Sequence, residues 1–214
     1  MARIHWKENK ILSIETRKGL YVLAQMIAEP YLVFYNTFNT NQDWGNVDLE
    51  NIPVLFHTAV AREFLNFSNI TTIKSIKANK KEDLNPKRIK TESIYRNVKT
   101  WEGTDKEIDF LIKGEGGILI EKSPYVNVSF GEEKVLKHKI DAIHDSELID
   151  DSELERILFS PGLNERLFLC YKYGKNVDPL KDLIFNRDIP LDYEVYIKLY
   201  ADKMTEKEWE ELSI

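Results

Sequence analysis

The chain of 214 residues contains one cysteine, Cys170, so it cannot form an internal disulfide. No apolar run approaches the roughly 18 residues that a membrane-spanning helix needs. The most apolar stretch, residues 31–35, is five residues long. The first residues also lack the apolar core of a signal peptide. Together these absences predict a protein of the reducing cytoplasm, with no membrane partner.

Several motifs that carry chemistry are missing. Residues 114–117, Gly-Glu-Gly-Gly, are not followed by the Lys-Ser/Thr of a phosphate loop, and no pair of cysteines could hold zinc. No Gly-x-Ser-x-Gly elbow is present. Cys170 lies in an apolar helical stretch, which is typical of a buried, inert thiol. These absences favour a protein that is not an enzyme and uses no cofactor.

The composition is that of a globular protein, with 43% hydrophobic and 31% charged residues. The net charge is −6, divided into +3 over residues 1–107 and −9 over residues 108–214. An acidic protein is repelled by nucleic-acid phosphate and suits a basic protein partner. The same charge could simply keep the protein soluble.

The first third of the chain has the pattern of β-strands. Apolar runs at residues 11–14, 20–27 and 31–35 are separated by turn signals, and runs at 53–57 and 70–76 follow. Short joints between consecutive strands favour an antiparallel meander. Because the runs are nearly continuous in apolar residues, we expect both faces of the sheet to be covered.

The second half mixes strands and helices. Residues 108–112 and 118–120 flank a glycine-rich turn and predict a β-hairpin, and 126–130 alternate as in a half-exposed strand. Ser152 and Glu155 have capping-box spacing, which predicts that a helix begins there. Further helices are predicted over 163–173, ended by Gly174, over 191–204, and from Thr205 to the C-terminus.

These elements predict an α+β protein with an N-terminal twisted antiparallel sheet or small barrel and a C-terminal hairpin followed by helices. We expect a β-rich module at 1–76, a basic linker or long loop at 77–107, and an α+β subdomain at 108–214. One continuous domain is the alternative. The basic linker could be a nucleic-acid arm or a solvated connection. We expect the solvated connection and no nucleic-acid partner, because no interleaved aromatics accompany the basic residues beyond Tyr95 and Trp101.

Residues 141–155 carry seven carboxylates and no Lys or Arg. This segment could be a solvated loop and first helical turn, a docking surface for a basic partner, or a carboxylate cage for a metal. The docking hypothesis assigns partner binding to six carboxylates: Asp141, Asp145, Glu147, Asp150, Asp151 and Glu153.

Trp44 is the second candidate contact. It lies in a polar loop near Asp43 and Asp48. A tryptophan beside carboxylates has the composition of an interface hot spot. It could equally be a plug that covers the end of a barrel.

An enzymatic alternative rests on the histidines. His138 and His144 lie close to Asp141 and Asp145, and imidazole with carboxylate can bind a divalent metal. The hypothesis would be a metal-dependent hydrolase. The spacing matches no pattern that places two histidines on one helical face.

The N-terminal third resembles a known family. The similarity lies in Trp6-Lys7, the strand at 11–14, Lys18-Gly19, the strands at 21–25 and 32–35 with Phe38, and Pro53 to His57 before Ala59-Val60. In these features the chain is similar to the immunity protein 26 family of bacterial polymorphic-toxin systems. The resemblance covers about residues 5–76.

The resemblance implies a cytoplasmic bacterial immunity protein, with no catalytic residues. Such a protein binds and neutralises a cognate polymorphic or contact-dependent toxin by occlusion, and a nuclease is one candidate toxin. We expect that toxin to be basic. The acidic residues at 141–153 would steer its association, and Trp44 would anchor it.

Overall fold

The computed structural model describes residues 4–80, 84–122 and 133–214. Within them the strands are β1 Ile11–Glu15, β2 Tyr21–Met26, β3 Tyr31–Asn39, β4 Val54–Val60, β5 Ile70–Ile73, β6 Lys87–Lys90, β7 Tyr95–Thr100, β8 Ile108–Lys113, β9 Ile118–Glu121, β10 Lys134–Lys137, β11 Glu153–Leu154 and β12 Ile157–Leu158. The helices are α1 Arg62–Phe67, α2 Ser146–Asp151, α3 Gly162–Tyr173, α4 Pro179–Ile184, α5 Glu194–Tyr200 and α6 Glu206–Glu210. The strand predicted at 126–130 lies outside the described residues.

The chain divides into two compact units that interleave along the sequence. The first comprises Met1–Leu84, Arg156–Asn176 and Glu206–Ile214, and the second comprises Asn85–Glu155 and Val177–Thr205. This division differs from the expected one, in which residues 77–107 link two consecutive modules. Strands β6 and β7 lie within that stretch. Sequence reasoning missed them because charged and polar residues dominate both strands, and Ile89 and Val98 are their only aliphatic residues.

The first unit is built on a sheet with the strand order β12-β4-β3-β2-β1-β5. Strands β1 to β5 pair antiparallel, with Ile14 opposite Val22, and β12 joins β4 in parallel. The first four residues of β1 are all buried, so both faces of this strand are covered. The predicted α+β class, with an N-terminal antiparallel sheet and C-terminal helices, is confirmed.

Helix α3 returns the chain to the first unit. It ends at Gly174, whose φ of 66° is left-handed, so the predicted glycine cap is confirmed. The Arg17 guanidinium donates to both carboxylate oxygens of the fully buried Glu165, at 2.8 and 2.6 Å. It also lies 3.8 Å from the centre of the Phe168 ring. These contacts join α3 to the turn that follows β1.

The second unit contains a sheet of order β10-β9-β6-β11 and a ribbon of β7 with β8. The strands predicted at 108–112 and 118–120 are present, but they do not pair with each other. Strand β8 pairs with β7, and β9 pairs with β6 and β10. At Gly117 a Cβ atom would lie 2.7 Å from the backbone oxygen of Lys90, so the glycine permits the close approach to β6.

The prediction that a helix begins at Ser152 is wrong. Helix α2 ends at Asp151, Ser152 is its C-cap, and β11 follows in parallel with β6. The Nζ atom of Lys181, which is 3% exposed, donates to the backbone oxygens of Ile149, Asp150 and Ser152, each at 3.0 Å. The Lys181 ammonium thus donates hydrogen bonds to backbone oxygens that would accept from backbone N–H groups if the helix continued.

The predicted terminal helices are present as α5 and α6, shorter than the sequence pattern indicates. No helix within the described ranges is both long and apolar enough to cross a membrane.

Candidate functional site

The acidic turn, defined here as residues 141–151, is held by its own carboxylates. The Oδ1 atom of Asp141 accepts hydrogen bonds from the backbone N–H groups of Ile143 at 2.9 Å and His144 at 2.8 Å. The N–H of Asp141 donates to Oδ2 of Asp145 at 2.8 Å. Asp and Asn favour such local bonds because their short side chains reach the neighbouring backbone. The bonds define one conformation for residues 141–145.

Strand β10 fixes the same turn from outside. The ammonium group of Lys137 lies 2.5 and 2.6 Å from the two carboxylate oxygens of Asp145. Asp145 therefore has a cationic partner within the protein, and its negative charge is compensated by Lys137.

Ile143 is the most exposed large apolar residue among those described, with 81% of its surface accessible. Its backbone is hydrogen-bonded to Asp141, so the side chain projects from an ordered turn. Interface anchors are residues near the centre of a contact that become desolvated, with surrounding neighbours that exclude water. Sequence reasoning did not select this residue. Its signal was a branched apolar residue placed between Asp141 and Asp145.

The far end of α2 is also tied down. The guanidinium of Arg187 lies 2.6 Å from Asp150 and 2.7 Å from Asp182, so it bridges α2 and α4. Burial raises the pKa of Asp182, although the adjacent Arg187 acts in the opposite direction. Together with Lys181, this bridge gives the acidic turn a rigid base.

The structure separates the six predicted carboxylates. Asp141, Glu147, Asp150 and Asp151 are exposed on the acidic turn. Asp145 is occupied by Lys137, and Glu153 is 5% exposed in β11. Asp150 is exposed but lies 2.6 Å from the Arg187 guanidinium. Asp141, Glu147 and Asp151 are therefore the three exposed carboxylates of the six that have no Lys or Arg partner among the described residues.

The pKa of Asp141 is lowered from 3.8 to about 2. The main cause is the hydrogen bond from the His144 backbone, followed by the His144 side chain and the Ile143 backbone. A carboxylate that accepts several N–H bonds is stabilised in its charged form. Asp141 therefore remains negatively charged well below neutral pH.

The loop around Trp44 belongs to the first unit. Trp44 is 6% exposed, its indole N–H donates to the hydroxyl of Ser13 at 3.0 Å, and it packs in a core cluster with Ile11 and Leu23. Asp43 and Asp48 accept backbone hydrogen bonds from Gly45 and Glu50. Trp44 is therefore a core residue of the first unit, and a buried indole is not an exposed anchor.

Three of the four residues of the hydrolase hypothesis already have side-chain partners inside the protein. Nδ1 of His144 lies 2.9 Å from Asp141, whereas Asp145 binds Lys137. Among the described residues, no group of three or more His, Cys, Asp or Glu side chains could hold a metal ion. No observation in the described chain favours metal-dependent hydrolysis.

The charge follows the two units. By sequence, the second unit carries a net charge of −7 and the first +1. The acidic turn thus lies in the unit that concentrates the negative charge.

A family model described as a domain of unknown function (DUF8309) matches residues 1–189. No curated protein and no solved structure matches the chain. The matched range includes the acidic turn and ends before α5 and α6.

Proposed function

We propose that the chain, which belongs to the DUF8309 family, is a non-catalytic immunity protein. It would act in the cytoplasm, bind a basic cognate toxin and neutralise it by occlusion. The toxin and the compartment rest on the resemblance of residues 5–76 and on the single cysteine, which cannot form an internal disulfide. The binding mode rests on the acidic turn.

The observation that supports binding is Ile143 on its ordered turn. An apolar side chain that is 81% exposed and held by backbone hydrogen bonds needs little further ordering when a partner covers it. Flanking carboxylates would repel acidic proteins and attract basic ones. In this arrangement Ile143 contributes contact area, and Asp141, Glu147 and Asp151 contribute steering.

The test uses Ile143→Asp as its central variant. Its backbone contacts remain, so the fold should be unaffected, while the apolar contact is lost. Leu111→Asp is the matched control, because Leu111 is a 57% exposed apolar residue of the same unit on β8. The tagged full chain is used to capture a partner from its host at low salt.

We expect one stoichiometric basic protein, bound by the wild type and the control and about 30-fold more weakly by Ile143→Asp. Expressed alone, that protein should arrest growth, and the wild-type chain but not Ile143→Asp should restore it. A harmless partner contradicts the immunity assignment. Equal capture by both variants contradicts the acidic turn as the interface.

The steering role has a kinetic test. Glu147→Gln combined with Asp151→Asn should slow association with the captured partner and flatten its dependence on salt, leaving dissociation nearly unchanged. Glu102→Gln combined with Glu115→Gln removes the same charge elsewhere in the unit. If both pairs lower the association rate equally, only net charge matters.

A further inference from the structure

A cavity of about 450 Å³ lies within the first unit. Its walls come from the end of β1, the end of α1, the start of α3 and one side of α6. This volume falls in the range of small-molecule sites, which is roughly 300–1,000 Å³. None of the residues discussed for the acidic turn contributes to it.

Part of the hydrogen-bond donor capacity of the cavity wall is used inside the protein. Five lining side chains donate to other protein groups: Thr16, Ser68, Asn69, Asn164 and Trp209. Thr16 and Ser68 have a single hydroxyl proton each, and Trp209 has a single N–H, so these three have no donor left. The side-chain donors that remain for a ligand are the Lys18 ammonium, the Ser160 hydroxyl and the second amide N–H of Asn69 and Asn164.

Acceptor groups of the cavity wall remain available to a ligand, because each oxygen of a carboxylate can accept more than one hydrogen bond. The Glu15 carboxylate receives hydrogen bonds from two neutral donors, the backbone N–H of Gly19 at 2.8 Å and the Asn69 amide at 2.7 Å. Glu206 and Glu210 are exposed and one turn apart on α6, on the other side of the cavity. Among the lining residues that the structure describes, Lys18 is the single cation. The lining thus has a surplus of negative charge.

Aromatic surface completes the wall. Phe67 is 65% exposed where α1 ends, and Trp209 is partly exposed on α6. Aromatic faces attract cations and also cover aliphatic chains. A ligand that matches open acceptors, negative charge and aromatic faces is a donor-rich cation with an aliphatic body.

We propose that this cavity binds an alkylammonium group. The group could belong to a free polyamine or to a lysine side chain of a protein, since both present an ammonium on a flexible aliphatic chain. The ammonium would lie among Glu15, Glu206 and Glu210, with its chain against Phe67. The proposal does not depend on the immunity function, because it uses different residues.

The test is calorimetric titration of the full chain at low salt with two probes, spermidine and trilysine. 1,8-Octanediol is the neutral control of comparable length. We expect binding at one site for at least one ammonium probe, weakened by added salt, and none for the diol. Tighter binding of spermidine identifies a free polyamine and tighter binding of trilysine a lysine side chain, and both results support the site.

Two matched pairs of variants locate the binding. Glu206→Gln combined with Glu210→Gln should weaken it about tenfold, whereas Glu211→Gln, just beyond α6, should leave it unchanged. Phe67→Ala should weaken it about threefold, and Phe159→Ala, at a similarly exposed phenylalanine outside the lining, should not. Circular dichroism confirms that each variant folds.

Failure of both probes to bind overturns the proposal. Binding that Glu211→Gln weakens as much as the α6 pair also overturns it, because it then reflects general negative charge. Neither result bears on capture of a toxin through Ile143, so the two proposals fail separately.

Discussion

Lys181 is a charged residue in an almost fully buried position. Its ammonium donates to three backbone oxygens around the end of α2, so all three of its protons have an acceptor. A buried charge is tolerated when its hydrogen bonds are complete. Lys181 therefore determines where α2 ends and positions the acidic turn.

Replacement of Lys181 by methionine should destabilise the protein. Lys181→Met keeps the aliphatic stem but leaves buried backbone oxygens without a donor, at a cost of about 2–4 kcal/mol. The exposed Lys175→Met should change the free energy of unfolding by less than about 0.5 kcal/mol. Urea unfolding measures both, and equal stabilities would show that Lys181 does not cap α2.

Asp141 should titrate with a pKa of about 2 in an NMR carboxyl titration. Because the folded pKa lies below the unfolded one, the stabilisation is present above the unfolded pKa and is lost as the pH falls through about 2.

His144→Ala should raise the pKa of Asp141 only in part. The variant removes the ring but keeps the backbone N–H that is the largest cause of the lowering. A return to the ordinary pKa would assign the lowering to the imidazole instead.

Between β8 and β9 the chain passes from the ribbon to the four-stranded sheet. Residues 114–117 form this connection. Within it, Gly116 and Gly117 have φ of 52° and 157°. A side chain at Gly116 would meet open space, whereas at Gly117 it would meet Lys90 and Ile89 of β6. The close approach of β6 at the start of β9 therefore depends on Gly117.

The two alanine variants should differ in stability. Gly117→Ala should cost about 2–3 kcal/mol, because Cβ would lie 2.7 Å from a backbone oxygen that cannot move without disturbing β6. Gly116→Ala should cost about 1 kcal/mol, from the left-handed backbone alone. Chemical denaturation measures the free energy of unfolding of both variants. Equal losses of stability would mean that β6 can move away from Gly117 at little cost.

At the scale of the whole molecule, each unit is assembled from separated segments. The first unit joins residues 156–176 and 206–214 to residues 1–84, and the second joins residues 177–205 to residues 85–155. The Arg17 to Glu165 pair shows the dependence, because its partners are 148 residues apart.

Fragments cut at the boundary expected from the sequence should not fold alone. Residues 1–107 lack α3 and the edge strand β12. Residues 108–214 lack β7, which pairs with β8, and β6, which is one of the two partners of β9. Neither should show a cooperative thermal transition by circular dichroism, in contrast to the intact chain. A cooperative transition in either fragment would restore the consecutive division.

Local patterns in the sequence were enough to predict much of the architecture. Strands β1 to β5 follow from runs of apolar residues, the cap at Gly174 from the backbone freedom of glycine, and the charge of the acidic turn from composition. None of these depends on which distant segment lies alongside.

Only the tertiary structure decided the pairing of β8 with β7, the burial of Trp44 and Glu153, and the exposure of Ile143. Each depends on contacts between residues far apart in the chain, and one short apolar or acidic segment is compatible with several such partners. The cavity is the extreme case. Its lining extends from Glu15 to Glu210, and no local pattern brings those residues together.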